Sequence, residues 1–532
     1  MDSRTKYYGL YAQDTYKATS DLTINYGLRW DTSQPFYDTK NRIQTFVAGK
    51  QSKIYPDAPE GFEFPGDPGV PRTLAPTQYD RFAPRLGIAY SPSARDGLLG
   101  KILGGPGKTS IRAGGGIYYT AIEDLTLFNE VGDPPFGLFY ISPVPVYLEQ
   151  PYMSRIGANP GQRFPFTIPP PGATGIWDQY LPITTAPTFR TDNKLPYSEQ
   201  FNFTLQREVA HSAVATVSYV GSRGRHLLST IELNPGSAAK CLLIATLMPA
   251  GQGCGQYGED TIYTTPSGET FYGTRPYSVT SGRGLAHNPP LLDFSSNTWE
   301  ATEANSTYNA LQASIQKEAG RMRFLGAYTW SKSIDNSSGF YDQIDPYNPR
   351  ISRALSTFDL THNFVFSYSY DLLLTRRTHG FQGKLLSGWT VTGITRFTTG
   401  FPVTLVESDD ASLCGCTGAD VPNYNGQPIH YLNIRKTGYW FDGSPFSAET
   451  EGIPGDSNRR FFHGPGINNW DFSLHKNTAI TDNTNLEFRA EYFNIFNHAQ
   501  FSSVTGDILG NFGQVTGARD PRIGQVALKF SF

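Results

Sequence analysis

The chain has 532 residues and is nearly balanced in charge, with 44 Lys and Arg against 47 Asp and Glu and a formal net charge of −3. This balance gives no electrostatic reason to expect nucleic acid as a partner, since nucleic acid requires a basic surface. Mean hydropathy is −0.38, and the longest nearly apolar run, 241–250, is about half as long as a membrane helix requires, which excludes a helical membrane protein.

Segments of about ten residues in which apolar and polar side chains alternate recur along the chain. This two-residue period is typical of β-strands. In 22–31, for example, Ile24, Leu28 and Trp30 share one face, and Asn25 and Arg29 share the other. Thirteen strands are predicted, at about 7–16, 21–31, 82–91, 109–119, 198–208, 213–223, 307–318, 322–332, 361–371, 386–398, 469–477, 485–496 and 522–532.

Two fold classes compete for such strands. In a soluble sandwich the apolar face points into a dry core, whereas in an outer-membrane barrel it points to lipid and the other face lines a lumen. The predicted strand 485–496 carries Glu487, Arg489 and Glu491 in succession on its polar face. A dry core does not tolerate that face, but a water-filled or plugged lumen does. The predicted fold class is therefore all-β, a transmembrane antiparallel up-and-down β-barrel.

The connections between the predicted strands alternate in length. Short turns at 17–20, 209–212, 319–321 and 477–483 alternate with long stretches at 32–81, 120–197, 224–306, 333–360 and 399–468, and the links at 92–108 and 372–385 are intermediate. Outer-membrane barrels have short periplasmic turns and long extracellular loops. The first predicted strand therefore runs inward and the thirteenth ends in the periplasm. An odd count that starts outside, together with the absence of a visible signal peptide, leads us to expect further strands upstream.

Short motifs recur throughout the chain. They are YGLYAQD (8–14), YGLRW (26–30), PRLG (84–87), TSIRAG (109–114), YVGSRG (219–224), YNALQ (308–312), YTWSKS (328–333), FRAEYFN (488–494), NH (497–498) and ARDPR (518–522). With these motifs the chain resembles the C-terminal barrel of TonB-dependent outer-membrane receptors of the Oar-like type. The resemblance covers nearly the whole chain in family order.

This resemblance implies a 22-stranded barrel, of which 1–532 would be the C-terminal part, about 13 strands. The plug, a carboxypeptidase-regulatory-like domain and the signal peptide would be absent, and the TonB complex would act through a missing N-terminal segment. The implied function is uptake of an unidentified siderophore, glycan or peptide, with outer-membrane lipid and the barrel assembly machinery as partners. The alternatives are a passive porin-like channel and a secreted β-rich carbohydrate-active enzyme.

The four cysteines form two pairs in predicted loops. Loop cysteines in an oxidising compartment usually pair, so a disulfide between Cys241 and Cys254 is expected. A disulfide between Cys414 and Cys416 would close a very small ring, so the state of this pair is left open. No His lies within a few residues of either pair to complete a zinc site.

No catalytic, cofactor-binding or metal-binding residues are predicted, and the chain is not expected to be an enzyme. Glu487 and Glu491, with Arg489 between them, are interpreted as a salt-bridge ladder on the lumen side rather than as a glycosidase carboxylate pair. Four aromatic residues of the last long loop could contact a ligand or could pack the loops together. They are Tyr439, Trp440, Phe441 and Phe446.

The last predicted strand alternates up to the final residue. Its apolar side chains are Val526, Leu528, Phe530 and Phe532. We interpret these four residues as the outer-membrane assembly signal, and the alternative is that Phe532 is one more lipid-facing aromatic. Deletion of Phe532 should lower insertion into the outer membrane if the strand is the signal.

Overall fold

The computed structural model describes residues 2–93, 97, 100, 103–122, 132–137, 167–184, 186–340, 342–375, 380–416, 420–481 and 483–532. Much of the predicted long stretch 120–197 therefore lies outside the described residues. Most of the regular secondary structure in the described part is β-strand. It includes helices α1 (Ala238–Leu247), α2 (Gly380–Leu386) and α3 (Ile434–Thr437), and the 3-10 turns Trp177–Tyr180 and Gly284–Ala286.

Thirteen long strands form one continuous antiparallel sheet, which we call the wall, and each strand pairs with its neighbours in chain order. The predicted number and order of strands are confirmed. The strands are β1 (Ser3–Lys17), β2 (Leu22–Asp38), β3 (Phe82–Tyr90), β4 (Thr109–Tyr119), β5 (Tyr197–Ala210), β6 (Ala213–Glu232), β7 (Thr298–Lys317), β8 (Met322–Asp335), β9 (His362–Leu372), β10 (Trp389–Thr398), β11 (Ile467–Ala479), β12 (Asn485–Phe493) and β13 (Ile523–Ser531).

Three of these strands extend furthest beyond their predicted bounds. The strand β2 continues to Asp38, β6 continues to Glu232, and β7 begins at Thr298. In the added parts many side chains are buried among the long connections, so polar and apolar residues no longer alternate between two different solvents. Periodicity detects a strand only where its two faces meet different surroundings, which explains the shorter predictions.

One side of the wall, which we call the apolar face, carries large hydrophobic side chains in register. Directly paired residues lie on the same side of an antiparallel sheet. Leu311 of β7 pairs with Tyr219 of β6 and with Trp330 of β8, and all three side chains are exposed. Exposed apolar surface of this extent on a soluble protein would mark a binding or membrane surface.

The opposite side, which we call the polar face, carries amides, hydroxyls and charges at the intervening positions. Gln312 pairs with Ser218 and Thr329, next to the row that contains Leu311. Near the C-terminus the same side carries Arg396 and Arg489. The two-residue period predicted from the sequence is therefore present across the sheet as two chemically distinct faces.

The connections alternate in length as predicted. At one end of the wall, the turn end, they are 18–21, 91–108, 211–212, 318–321, 373–388 and 480–484. At the other end, the loop end, they are 39–81, 120–196, 233–297, 336–361, 399–466 and 494–522. The last of these was not among the predicted long stretches. Within the described ranges, no helix is both long and apolar enough to cross a bilayer.

Short strands add local structure at the loop end. Pro187–Phe189 and Ala354–Leu355 extend the wall by pairing with β7 and β8. Four small hairpins lie within the long connections: Thr45–Phe46 with Phe62–Glu63, Ile262–Thr264 with Thr270–Tyr272, Asn423–Tyr424 with Phe446–Ser447, and Phe501–Val504 with Val515–Ala518.

Candidate functional site

The described parts of the six connections at the loop end pack together into one layer, which we call the loop cap. Its largest core is aromatic and draws on three connections, with Phe62 from 39–81, Trp177 from 120–196 and Phe294 from 233–297. Their rings meet edge to face, with centroids 5.9 Å apart for Phe62 and Trp177 and 6.0 Å apart for Phe62 and Phe294. Such arrangements are favourable for aromatic pairs, so the connections stabilise one another as in a globular core.

Two consecutive buried arginines fasten the connection 399–466 to its neighbour 336–361. Arg459 donates from Nη1 to Asp342 Oδ1 over 2.7 Å, and Arg460 donates from Nη2 to Asp342 Oδ2 over 2.9 Å. Arg460 also donates from Nε to the Leu355 carbonyl oxygen over 2.7 Å. Because both guanidinium groups are buried, these bonds replace the hydration that the charges have lost.

A third buried arginine, Arg275, joins the connection 233–297 to 399–466. Its Nε donates to Asp260 Oδ1 over 2.9 Å, and its Nη1 donates to the Asn234 carbonyl oxygen over 2.8 Å. Its Nη2 donates to the Gly415 carbonyl oxygen over 3.2 Å. None of the three arginines was predicted from the sequence. Arg459 and Arg460 could have been noticed in the sequence as an Arg-Arg pair within a long loop that contains Gly and Asn.

Both cysteine pairs lie in the loop cap. Cys241, on α1, is joined to Cys254 with their Cα atoms 5.1 Å apart, and this pair packs against Leu413. The helix forms on an Ala- and Leu-rich segment, and the Ser237 side chain at its N-cap accepts a bond from the Lys240 amide. Cys414 is likewise joined to Cys416. Both pairs therefore lie where the connections 233–297 and 399–466 meet.

The four loop aromatics named from the sequence occupy different environments. Phe441 and Phe446 are 1% and 8% exposed and lie in a cluster with Phe462 and Val403, so they pack the loops together. Tyr439 and Trp440 are both half-buried. A ligand arriving from outside can therefore reach Tyr439 and Trp440 more readily than the two buried phenylalanines.

Trp440 belongs to an aromatic pair that was not predicted from the sequence. The rings of Tyr431 and Trp440 have centroids 4.9 Å apart, and Tyr431 is 54% exposed. The Trp440 indole donates from Nε1 to the His463 carbonyl oxygen over 2.9 Å, which fixes its orientation. This pair offers an exposed aromatic surface held in place by a buried cluster beneath it.

Two carboxyl groups of the cap titrate far from their ordinary range. Burial, with Asp410 beside it, raises the pKa of Glu259 to about 8. Burial also raises the pKa of Asp420 to about 8, and the neighbouring Glu449 carboxyl acts in the same direction. Among the described residues, no group of three or more His, Cys, Asp or Glu side chains is arranged to hold a metal ion.

The polar face carries the ladder predicted for β12. Arg489 forms an ion pair with Glu487 on the same strand, which confirms that part of the interpretation. Glu491 instead accepts a hydrogen bond from Gln525 Nε2 of β13 over 2.5 Å. His475 Nδ1 lies 4.0 Å from Glu487 Oε1. The carboxylates are thus engaged with partners on the wall.

The model of one family matches almost the whole chain. The family is described as the outer membrane beta barrel domain, and the match covers residues 1–525. The chain belongs to this family. The predicted fold class and the predicted location in the outer membrane are confirmed, and the apolar face is therefore the surface that meets lipid.

Solved structures of outer-membrane receptors and transporters match this outer-membrane β-barrel domain with low identity. The ferripyoverdine receptor of Pseudomonas aeruginosa is 12% identical, with 99% of this chain and 38% of that chain covered and a TM-score of 0.37. The siderophore receptor PirA from Acinetobacter baumannii is 11% identical, with coverages of 99% and 46% and a TM-score of 0.43. The outer membrane transporter YddB from Escherichia coli is 9% identical, with coverages of 100% and 55% and a TM-score of 0.39.

The chain thus spans between 38% and 55% of the length of these three proteins. No curated protein sequence matches the chain.

The last strand of this β-barrel domain lies at the edge of the wall. Val526, Leu528 and Phe530 are exposed on the apolar face, in register with the side chains of β12. Phe532 follows the strand and is 96% exposed. This placement puts all four residues within reach of lipid, and their role as the assembly signal stays a prediction.

Proposed function

We propose that the chain forms the lumen wall and the ligand-binding loop cap of a TonB-dependent receptor that takes up a siderophore, a glycan or a peptide. The observation that carries this proposal is the packing of the loop cap. A passive channel needs only that its loops leave the lumen open. Here the connections share aromatic cores and buried arginine bonds, which hold their outer surface in one arrangement. Preorganisation of this kind favours specific binding, because less freedom is lost when a ligand binds.

Ligand contact is assigned to the aromatic surface of Tyr431, Tyr439 and Trp440. Tyr431 and Trp440 lie ring against ring with exposed area, and Phe441 beneath them is buried. Aromatic side chains provide large contact areas at low cost in conformational entropy, which suits many small-molecule and glycan ligands. Phe441 and Phe446 would then support the surface rather than touch the ligand.

Energy coupling is assigned to a plug and a TonB-binding segment of an N-terminal part of the receptor. The strand directions support further wall strands. In a sheet of thirteen antiparallel strands, β1 and β13 run in the same direction. An odd number of additional strands is therefore needed to close the sheet with antiparallel pairs only. Among the described residues, the outer edges of β1 and β13 have no strand partner, and open edges are not tolerated in lipid.

Binding to outer-membrane vesicles that carry the chain tests this proposal. The probes are a ferric hydroxamate siderophore, a maltooligosaccharide and a short peptide, each measured by retention after washing. We expect saturable retention of one class. Trp440→Ala should weaken it about ten-fold, the loss expected for a central aromatic contact. The matched control is Tyr79→Ala, an exposed aromatic in another connection of the cap.

Permeation assays separate the proposal from a passive channel. Vesicles with a passive pore swell in many small sugars and retain none of them saturably. Swelling of that kind, without saturable retention of any probe, would contradict the receptor proposal.

A further inference from the structure

Helix α2 lies in the connection 373–388 between β9 and β10, at the turn end of the wall. Its large apolar side chains are exposed: Phe381 is 82% exposed and Leu385 is 51% exposed. These residues are four apart and therefore lie on the same side of the helix. Contact with water alone would leave this apolar strip without a favourable partner.

The hydrogen bonds of α2 reach two side chains of the wall. Trp389 Nε1 donates to the Leu385 carbonyl oxygen over 3.0 Å. Lys476 Nζ donates to the carbonyl oxygens of Lys384 and Ser387, each over 2.8 Å. The last carbonyl groups of a helix have no partners within the helix, so these bonds satisfy groups that would otherwise need water.

The two donors belong to the apolar face. Trp389 of β10 and Lys476 of β11 are directly paired, and Lys476 is paired in turn with Phe488 of β12. Phe488 pairs with Leu528 of the lipid-facing last strand. Since directly paired residues share a face, α2 is fastened to the lipid-facing side of the wall and not to the lumen side.

A glycine permits this arrangement. Gly388 has a φ of +74°, and a Cβ atom at this position would lie 2.2 Å from the Asn477 carbonyl oxygen. The Asn477 amide donates to the Gly388 carbonyl oxygen over 2.9 Å. The chain can therefore turn closely past β11 between α2 and β10 only because residue 388 has no side chain.

We propose that α2 is a membrane-interface helix that inserts Phe381 and Leu385 into the periplasmic leaflet of the outer membrane. The partner is the phospholipid of that leaflet, because α2 continues the surface that already meets lipid. The turn end is periplasmic, since short turns face the periplasm in outer-membrane barrels. Trp and Lys are common at the level of lipid headgroups, and the ammonium group of Lys476 lies 5.2 Å from the centre of the Trp389 ring.

A depth measurement with a fluorescent label tests this proposal. The four native cysteines are paired in two disulfides, so a cysteine introduced by Phe381→Cys takes the label. The receptor that contains the labelled chain is placed in phosphatidylethanolamine and phosphatidylglycerol vesicles that contain nitroxide lipids. We expect nitroxides near the headgroup to quench about two-fold more than nitroxides near the chain end, since interfacial helices bury their apolar side only about 5–10 Å deep.

Two further label positions make the result specific. Leu385→Cys, on the same side of α2, should give the same order of quenching. Ser369→Cys is the control, because Ser369 lies on the polar face of β9, near the same end of the wall. Its label should be quenched by iodide in water and not by nitroxide lipids. Quenching of the Phe381 label by iodide alone, or more strongly by the deep nitroxides, would overturn the proposal.

Discussion

Leu311 in the wall and Phe62 in the loop cap are both apolar, yet they occupy opposite environments. Leu311 is exposed on a sheet whose other face carries Gln312, whereas Phe62 is 1% exposed among aromatic rings. The wall meets lipid on the outside and water in its lumen, so its apolar side chains point outward. The loop cap meets water on the outside, so its apolar side chains point inward as in a soluble domain.

The two regions therefore depend on different interactions. The wall is held by continuous backbone pairing between neighbouring strands, and its side chains mainly adapt each face to its solvent. The cap has little regular structure, and its connections depend on side chains such as Trp177, Arg275 and Arg460. Substitutions in the cap should thus act on the cap alone, whereas those in the wall should depend on which face they occupy.

The largest expected effect is loss of the Arg460 guanidinium by Arg460→Ala. It leaves the Leu355 carbonyl oxygen without its buried donor, and it leaves Asp342 with Arg459 as its remaining arginine partner. Removal of one partner from a buried charged pair costs about 3–5 kcal/mol. We expect the cap to become sensitive to limited proteolysis while the wall keeps its heat-modifiable migration in SDS gels. Arg435→Ala, at an exposed position on α3, is the control, and equal sensitivity in both variants would contradict a special role for Arg460.

The second prediction concerns the two faces of β7. Leu311→Arg places a charge in lipid and should destabilise the folded wall by about 2–4 kcal/mol, depending on depth. Gln312→Arg, one residue further along, places the same charge on the polar face and should have little effect. The free energy of folding of the receptor that contains each variant, measured in phospholipid vesicles by guanidinium titration, checks both variants. Similar losses for the two variants would show that the faces are assigned incorrectly.

The third prediction concerns the disulfide between Cys241 and Cys254, which closes a loop with a sequence separation of 13 residues. Such a cross-link stabilises by about 3 kcal/mol in the chain-entropy account. Replacing both cysteines by Ser should make α1 and its surroundings more sensitive to protease, with the wall unchanged. Proteolysis followed by mass spectrometry locates the cleavage. Cleavage that is unchanged around 238–254 would mean that packing against Leu413 alone holds the segment.

The wall could be predicted from the sequence almost completely, and the cap could not. Each strand of the wall separates lipid from water, so apolar residues such as Ile24, Leu28 and Trp30 alternate with polar ones. The local sequence pattern therefore indicates where the strand lies in the fold. Nothing local records that Phe62 meets Trp177, since these residues are far apart in sequence and meet only through the folding of three connections. The bond from Arg275 to Gly415 could not be predicted for the same reason. Nor could the sequence show which loop aromatics pack the loops together and which remain accessible to a ligand.

Helix α2 shows the same limit at the other end of the wall. Its segment was predicted as part of an intermediate link, since a helix of seven residues is too short to give a clear period. Its position on the apolar face depends on Gly388 and on bonds from Lys476, a residue of a different strand. Periodicity therefore predicts elements that face two solvents, and it misses those that are placed by long-range contacts.

The last prediction concerns a gradual dependence of cap stability on pH. Burial raises the pKa values of Glu259 and Asp420 to about 8 in the folded chain, above their ordinary values of 4.5 and 3.8. A raised pKa means that the folded cap favours the protonated form. The stabilisation is therefore complete below the ordinary values and is lost as the pH rises through about 8. We expect limited proteolysis of the cap to accelerate as the pH rises from about 4.5 to about 8 and to level off above about pH 8.

Glu259→Gln and Asp420→Asn separate this effect from the pH dependence of the protease itself. Each variant keeps the size of the side chain but cannot ionise, so the double variant should remove most of the acceleration. The wall offers an internal comparison, because its heat-modifiable migration should not follow the same pH profile. If the unaltered chain and the double variant respond to pH alike, these two carboxyl groups do not set the stability of the cap. If the double variant loses the pH dependence of cap proteolysis while the migration of the wall stays unchanged, Glu259 and Asp420 cause the pH response of the cap.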